Sequence, residues 1–98
     1  MPTKTISRCR ESQVQAMIIA ALKLAGFTVK RSAGTRNGDP DITAYRDNIR
    51  LAIEIKRDAK AKIGLWQARQ LLQFRVDGYE ADVVFGYDDF EKKFGRYL

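Results

Sequence analysis

From Ser7 to Ala25 the apolar residues Val14, Met17, Ile18, Ala21, Leu22 and Ala25 follow the i, i+3, i+4, i+7, i+8, i+11 spacing of a helix with one apolar side. Gly26 stands where a left-handed residue ends such a helix. Phe27 to Arg31 alternates as a strand, and Ser32 to Gly38 is a Gly-, Ser- and Asn-rich loop. Two short strands follow, Asp41 to Tyr45 and Arg50 to Lys56. In the second, Leu51, Ile53 and Ile55 point one way and Ala52, Glu54 and Lys56 the other. Between the strands, Asp47-Asn48 tolerates the positive φ of a tight hairpin turn.

After a basic connection from Arg57 to Lys62, a second helix runs from Gly64 or Leu65 to about Asp77. Its expected apolar stripe is Leu65, Ala68, Leu72 and Val76, widened by Leu71, with Gln67, Gln70 and Gln73 beside it. Gly78 stops it. Ala81 to Phe85 suits a buried strand, and Asp88-Asp89 can cap a last short helix carrying Phe90 and Phe94 at i and i+4. The order α-β-β-β-α-β-α predicts an α/β fold: a mixed sheet of about four strands flanked by helices. Phe90, Phe94 and Trp66 are candidates for a subunit interface, with ordinary core packing the simpler expectation for each.

The hairpin carries the candidate chemistry. If Asp47 and Asn48 are the two loop residues, Arg46 faces Ile49, Thr43 faces Ala52 and Asp41 faces Glu54. Ile42 and Ala44 then share a core face with Leu51 and Ile53, while Asp41, Glu54 and Lys56 share the other. Opposed residues have Cβ atoms ~4.5–5.5 Å apart. Two carboxylates so placed repel, and a hard cation on oxygen ligands, Mg²⁺ or Mn²⁺, relieves the repulsion. Lys56 on the same face can hold a water or steady a developing negative charge.

Composition narrows the choices. The chain has 98 residues, enough for one domain spanning 1–98 with a modest core. No apolar run reaches membrane-spanning length and the N-terminus lacks signal-peptide features, so the expectation is a cytoplasmic protein without a membrane partner. Cys9 is the only cysteine and histidine is absent, which excludes an internal disulfide, a Ser-His-Asp triad, a Cys-His pair, a His-containing zinc site and histidine-dependent nucleases. Catalysis must rest on carboxylates, lysine and metal. Net charge is +6, and residues 1–37 hold seven Lys/Arg against the single acid Glu11. A basic front half suits a polyanion, DNA first among them, though a basic protein without such a partner has the same composition. Glu11 continues the first helix's apolar stripe, where a first-turn glutamate also complements the helix dipole.

Taken singly, Asp39-Pro40-Asp41 reads as a turn and Glu54-x-Lys56 as a surface ion pair. Together, with Glu11 upstream and Gln67 downstream, they resemble the PD-(D/E)XK nuclease superfamily, and within it the virus-type replication-repair nuclease (VRR-NUC) family. Glu11 matches the family's helix-borne acid, Gly38-Asp39-Pro40-Asp41 its Gly-x-Pro-Asp, Glu54-Ile55-Lys56 its Glu-x-Lys, and Gln67 the glutamine that opens its second helix. Gly64 departs from the Ser/Thr-type cap expected there.

The resemblance implies a restriction-endonuclease-like fold and a Mg²⁺- or Mn²⁺-dependent phosphodiesterase. It implies metal binding by Asp41, Glu54 and the carbonyl of Ile55, with Glu11 reaching the metal directly or through water. Lys56 is implied to orient the attacking hydroxide or stabilise the transition state, and Gln67 to position Lys56 or the DNA backbone. Lys30, Arg31, Arg36, Arg57, Lys60 and Lys62 are the expected DNA contacts. A lone nuclease core resembles dimeric junction-resolving enzymes, so a homodimer cleaving branched DNA such as Holliday junctions is expected. The alternatives are a nicking, flap or restriction-like nuclease using the same site, a non-catalytic DNA-binding module, and a small basic interaction domain in which Glu54 and Lys56 form a plain salt bridge.

Overall fold

The computed structural model describes residues 11–32, 39–56 and 62–98. They form α1 (Glu11–Leu24), β1 (Thr28–Arg31), β2 (Ile42–Arg46), β3 (Ile49–Lys56), α2 (Leu65–Val76), β4 (Glu80–Phe85) and α3 (Tyr87–Phe94), followed by a short 3₁₀ turn at Gly95–Tyr97. This is the expected order and the expected restriction-endonuclease-like mixed sheet. The predicted start of the first helix at Ser7 lies outside the described residues, as does most of the loop before the hairpin. No helix among the described residues is long and apolar enough to cross a membrane.

The sheet runs β1-β2-β3-β4, with β1 and β2 antiparallel, β2 and β3 antiparallel, and β3 and β4 parallel. The hairpin has the register expected from its turn: Arg46 opposite Ile49, Thr43 opposite Ala52, Ile42 opposite Ile53. Asp47 turns the chain with φ of 54°, a conformation short polar side chains accept more readily than branched ones.

One face of the sheet carries the main core. Val14, Ile18 and Leu22 of α1 and Phe90 and Phe94 of α3 pack on Ile42, Ala44, Leu51, Ile53, Ile55 and Val84. Each fully buried aliphatic or aromatic side chain here contributes ~1.5–3 kcal/mol of transfer free energy. Phe90 and Phe94 are therefore core and not interface. The cap of α3 is Gly86, with φ of 94°; Asp88 and Asp89 lie inside the first turn, and Asp89 accepts the Phe85 backbone N–H at 2.9 Å.

The opposite face is smaller. Ala52, Ala81 and Val83 meet only Leu71 as a buried side chain of α2, with Phe74 and Tyr79 packed at the margin. The stripe predicted to bury α2 is turned to solvent instead: Leu65 is 77% exposed, Leu72 58% and Val76 79%. The face that meets the sheet holds Gln67, Leu71 and Phe74. Small residues on this side of the sheet give large aliphatic side chains little to cover, and Gln67 is drawn inward by the partner described below.

Helices α1 and α2 end alike. Gly26 donates to the Lys23 carbonyl and Phe27 to that of Leu22; Gly78 donates to Arg75 and Tyr79 to Phe74. Both are Schellman motifs with a left-handed glycine. Each end also receives an arginine from the hairpin. Arg46 donates to the Ala25 carbonyl and lies over the Phe27 ring, while Arg50 donates to the Asp77 carbonyl and lies over Tyr79. The turn thus fixes the strand register and, through Arg46 and Arg50, ties both helices to the hairpin.

Candidate active site

Asp41 and Glu54 come abreast one step beyond the last ladder pair of the hairpin, Ile42 with Ile53. Strand alternation sends Glu54 to the α2 face, between Ile53 and Ile55 of the core face. Glu54 is 3% exposed, the one charged residue among the buried described residues. Such a group requires partners. Lys56, two residues along the same face, places its Nζ 3.4 Å from Glu54 Oε2. Gln67, in the first turn of α2, donates from Nε2 to the same oxygen at 2.8 Å.

Asp41 is held differently. Its Oδ2 accepts the backbone N–H of Ile55 at 2.8 Å, tying the start of β2 to the end of β3. Pro40, immediately before it, is buried. Glu11, at the start of α1, acts electrostatically on both acids and raises the pKa of each. For Glu54 burial is the main cause of the rise, followed by the charge of Asp41; Lys56 opposes both, and the pKa stands at about 7 against an ordinary 4.5. For Asp41 burial again leads, opposed by the Ile55 N–H, and the pKa is raised.

The hairpin therefore gathers two carboxylates that resist joint ionisation, the pattern that a divalent cation relieves. Among the described residues no three acidic side chains are close enough to form a ready-made cation cage. The donor chemistry nonetheless fits Mg²⁺ or Mn²⁺: Asp41 and Glu54 offer carboxylate oxygens, and Glu11 adds a third negative charge nearby.

Gln67 bonds to the same Glu54 oxygen that Lys56 approaches. It bridges Glu54 to the start of α2, where its Oε1 accepts the Gly64 N–H at 3.4 Å. This is half of a capping box, since Gly64 has no side chain to return the bond. Of the expected DNA contacts, Lys30, Arg31 and Lys62 are exposed, while Arg36, Arg57 and Lys60 lie outside the described residues, as does Gly38. A feature without a sequence signal is a cleft of about 400 Å³ between α1 and β1, where Lys23 joins Arg31, Ser12 and Gln15. Only the fold brings Lys23 and Arg31 together.

Comparison with known proteins agrees with this geometry. The profile of the family described as archaeal Holliday junction resolvase (Hjc) matches residues 7–85. A solved structure described as a VRR_NUC domain is 26% identical, superposes with a TM-score of 0.76, and is matched over 90% of this chain and 97% of its own. A second, described as a VRR_NUC domain protein, shares the fold at 22% identity and a TM-score of 0.74, over 92% of this chain and 88% of its own. Hjc of Archaeoglobus fulgidus, a Holliday junction resolvase, is 30% identical with a TM-score of 0.59 over 72% of this chain and 63% of its own. No functionally curated protein matched. With four-fifths of its length under the family profile, a VRR-NUC-like fold, and Asp41, Glu54 and Lys56 drawn together on one hairpin, the chain belongs to the archaeal Holliday junction resolvase family of PD-(D/E)XK-type nucleases.

Proposed function

We propose that the protein is a divalent-metal-dependent endonuclease that cleaves branched DNA, four-way junctions foremost, as a homodimer. The observation that carries this reading is the buried Glu54, set between Asp41 and Lys56 on the hairpin of a chain in a nuclease family. Asp41, Glu54 and the Ile55 carbonyl would hold Mg²⁺ or Mn²⁺, with Glu11 reaching it directly or through water. When bound, the cation supplies Lewis-acid charge neutralisation at the scissile phosphate.

The chain's own groups do the rest. Lys56 presents an ammonium beside Glu54, able to orient the attacking water and to stabilise charge that develops on the phosphoryl oxygens. Gln67 fixes the orientation of Glu54 through Oε2. Asp41 is kept in place by the Ile55 N–H. Lys30, Arg31 and Lys62, with Arg36, Arg57 and Lys60, contact DNA phosphates, which sets position and salt dependence rather than sequence preference.

The test is cleavage of a labelled four-way junction, a flap and a linear duplex by wild type and Lys56→Ala, each with and without Mg²⁺ or Mn²⁺. Junction cleavage is expected only from wild type with metal. Metal binding is expected to survive Lys56→Ala and to weaken in Asp41→Ala. Linear duplex cut as fast as the junction overturns the branched-DNA reading, and a Lys56→Ala protein at full rate overturns the role of Lys56.

A further inference from the structure

The two edges of the sheet are finished differently. Along β4 the chain's own side chains take up outward backbone groups. Arg75 Nε donates to the Ala81 carbonyl at 2.7 Å and Lys93 Nζ to that of Val83 at 2.7 Å. Asp82 and Asp89 accept the Val83 and Phe85 N–H groups at 2.8 and 2.9 Å. Along β1 no side chain among the described residues does so. Ser32 donates its N–H to the Asp41 carbonyl at 2.9 Å, in step with the register of β1 and β2. Lys30–Thr43 and Thr28–Tyr45 are therefore the bonded pairs, and the N–H and C=O groups of Val29 and Arg31 point to the open edge.

Beside that edge lies the cleft of about 400 Å³ between α1 and β1. Val29 packs on the core under α1, and Arg31, two residues on, shares that face. Ala16, Ile19 and Ala20 give the cleft an apolar wall, Lys23 and Arg31 give it two cations, and no acid lines it. We propose that β1 and this cleft dock an extended acidic segment of a partner protein, which joins the sheet antiparallel to β1 as a further strand. Such a strand bonds to the outward groups of both Val29 and Arg31. Its residues opposite them project on the α1 face, into the cleft. An aliphatic side chain opposite Val29 meets Ile19 and the alanines. Lys23 precedes β1 and Arg31 ends it, so acids two residues to either side of that aliphatic one meet the cations.

The chemistry of the surface selects this occupant. DNA brings phosphate oxygens, which accept from N–H groups and cations but give the Val29 and Arg31 carbonyls no donor; a peptide backbone supplies both. A second copy pairing through its own β1 would set Lys30 and Arg31 against the same two residues, and like charges so placed repel. Residues 1–10 carry Lys4, Arg8 and Arg10 and no acid, so they meet the same repulsion. Basic side chains deter most strands from an exposed edge, and here they favour an acidic one. The surface uses none of Asp41, Glu54 or Lys56 and stands whether or not the protein cleaves DNA. It shares Arg31 with the proposed DNA contacts, so docking and DNA compete for that guanidinium.

The probe is a fluorescein-labelled peptide, Asp-Glu-Thr-Ile-Thr-Glu-Asp, titrated into the full chain without DNA and followed by amide hydrogen exchange. Binding is expected to slow exchange at the Val29 and Arg31 amides ~10-fold or more, while Thr28 and Lys30, already bonded to β2, are unchanged. N-methylation of the peptide's first glutamate and isoleucine removes the bonds to β1 and is expected to weaken binding ~10-fold or more; N-methylation of its two threonines, which donate away from β1, is expected to leave it intact. Lys23→Glu is expected to weaken binding roughly tenfold, with thermal unfolding close to that of wild type. No binding, binding without protection of the two amides, or equal loss from both methylation patterns overturns the strand addition. A DNA duplex that protects the Val29 and Arg31 amides where the peptide does not assigns the cleft to nucleic acid and overturns it too.

Discussion

Gln67 Nε2 donates to Glu54 Oε2 at 2.8 Å, so the first turn of α2 is fastened to the buried acid of β3. A neutral donor on a buried carboxylate offsets part of its desolvation without adding charge. Gln67→Ala removes that bond and the acceptor of the Gly64 N–H together. It is expected to cost ~1–3 kcal/mol of stability and to lower nuclease turnover roughly tenfold, by loosening Glu54 without touching the reaction. Gln67→Glu should be worse on both counts, since it sets a further carboxylate against Glu54. Thermal unfolding and junction-cleavage rates of the two variants check this; equal rates for wild type and Gln67→Ala exclude a positioning role.

The raised pKa of Glu54 fixes the sign of a pH effect. Between its ordinary 4.5 and about 7 the folded chain holds a proton that the unfolded chain has released. The contribution of Glu54 to stability is therefore full below pH 4.5 and is lost as pH rises through about 7, a difference of ~3 kcal/mol. Asp41, also raised, acts in the same direction. A divalent cation held by the ionised acids would reverse the loss. Saturating Mg²⁺ or Mn²⁺, at ~100-fold over the dissociation constant, is expected to add ~2.7 kcal/mol near pH 8 and far less near pH 5.5. Calorimetric unfolding at both pH values measures it, and Glu54→Gln should flatten both the pH and the metal response.

How much of this was legible in the sequence depended on which residues set the structure locally. The hairpin register was, because Asp47-Asn48 and the alternation of Leu51, Ile53 and Ile55 admit one pairing. The ends of α1 and α2 were, because Gly26 and Gly78 each occupy a left-handed position. The face of α2 was misread. Periodicity joins Leu65, Ala68, Leu72 and Val76, widened by Leu71, in one stripe, but only Leu71 of these is buried, and Gln67 turns inward with it to meet Glu54 beside a shallow patch of small side chains. A polar contact between residues thirteen apart leaves no periodic trace. The same holds for the contacts of Arg46 and Arg50 with the ends of two helices. Asp88 and Asp89, expected as caps, lie two and three residues past the cap, because Gly86 with its positive φ takes that position.

The approach of Arg50 to Gly78 leads to a further prediction. A Cβ at Gly78 would lie 2.7 Å from Arg50 Nη2, on a backbone with φ of +96°. Gly78→Ala should cost ~1–2 kcal/mol from the left-handed backbone alone and more by displacing Arg50 from the Asp77 carbonyl. Arg50→Ala alone loses that bond, worth ~1 kcal/mol. The double variant should cost less than the sum, since the alanine at 78 then meets no guanidinium. Denaturant unfolding of the four proteins gives the coupling. Strict additivity would show that the contact carries no energy.

The last prediction concerns the turn on which the site depends. Asp47 holds φ of 54°, so Asp47→Gly should leave stability equal or slightly higher, whereas Asp47→Val should cost ~1–2 kcal/mol. Neither changes the loop length, and both should retain metal binding. Inserting one glycine between Asp47 and Asn48 is different in kind. If β3 keeps its place under α2, β2 slips by one residue and Asp41 passes to the opposite face from Glu54. If β2 keeps its place, the extra residue is absorbed as a bulge and the two acids stay together. Metal titration separates the outcomes. Retained metal binding through the bulge is expected, because the slip would carry Ile42 and Ala44, both fully buried, out of the core; loss of metal binding in a protein that still unfolds cooperatively would show that the slip had occurred. The bond from the Ile55 N–H to Asp41, ~1.5–3 kcal/mol for a charged acceptor, adds to the core burial that favours the bulge, so metal affinity within a factor of ~2 of wild type is the result that agrees with both.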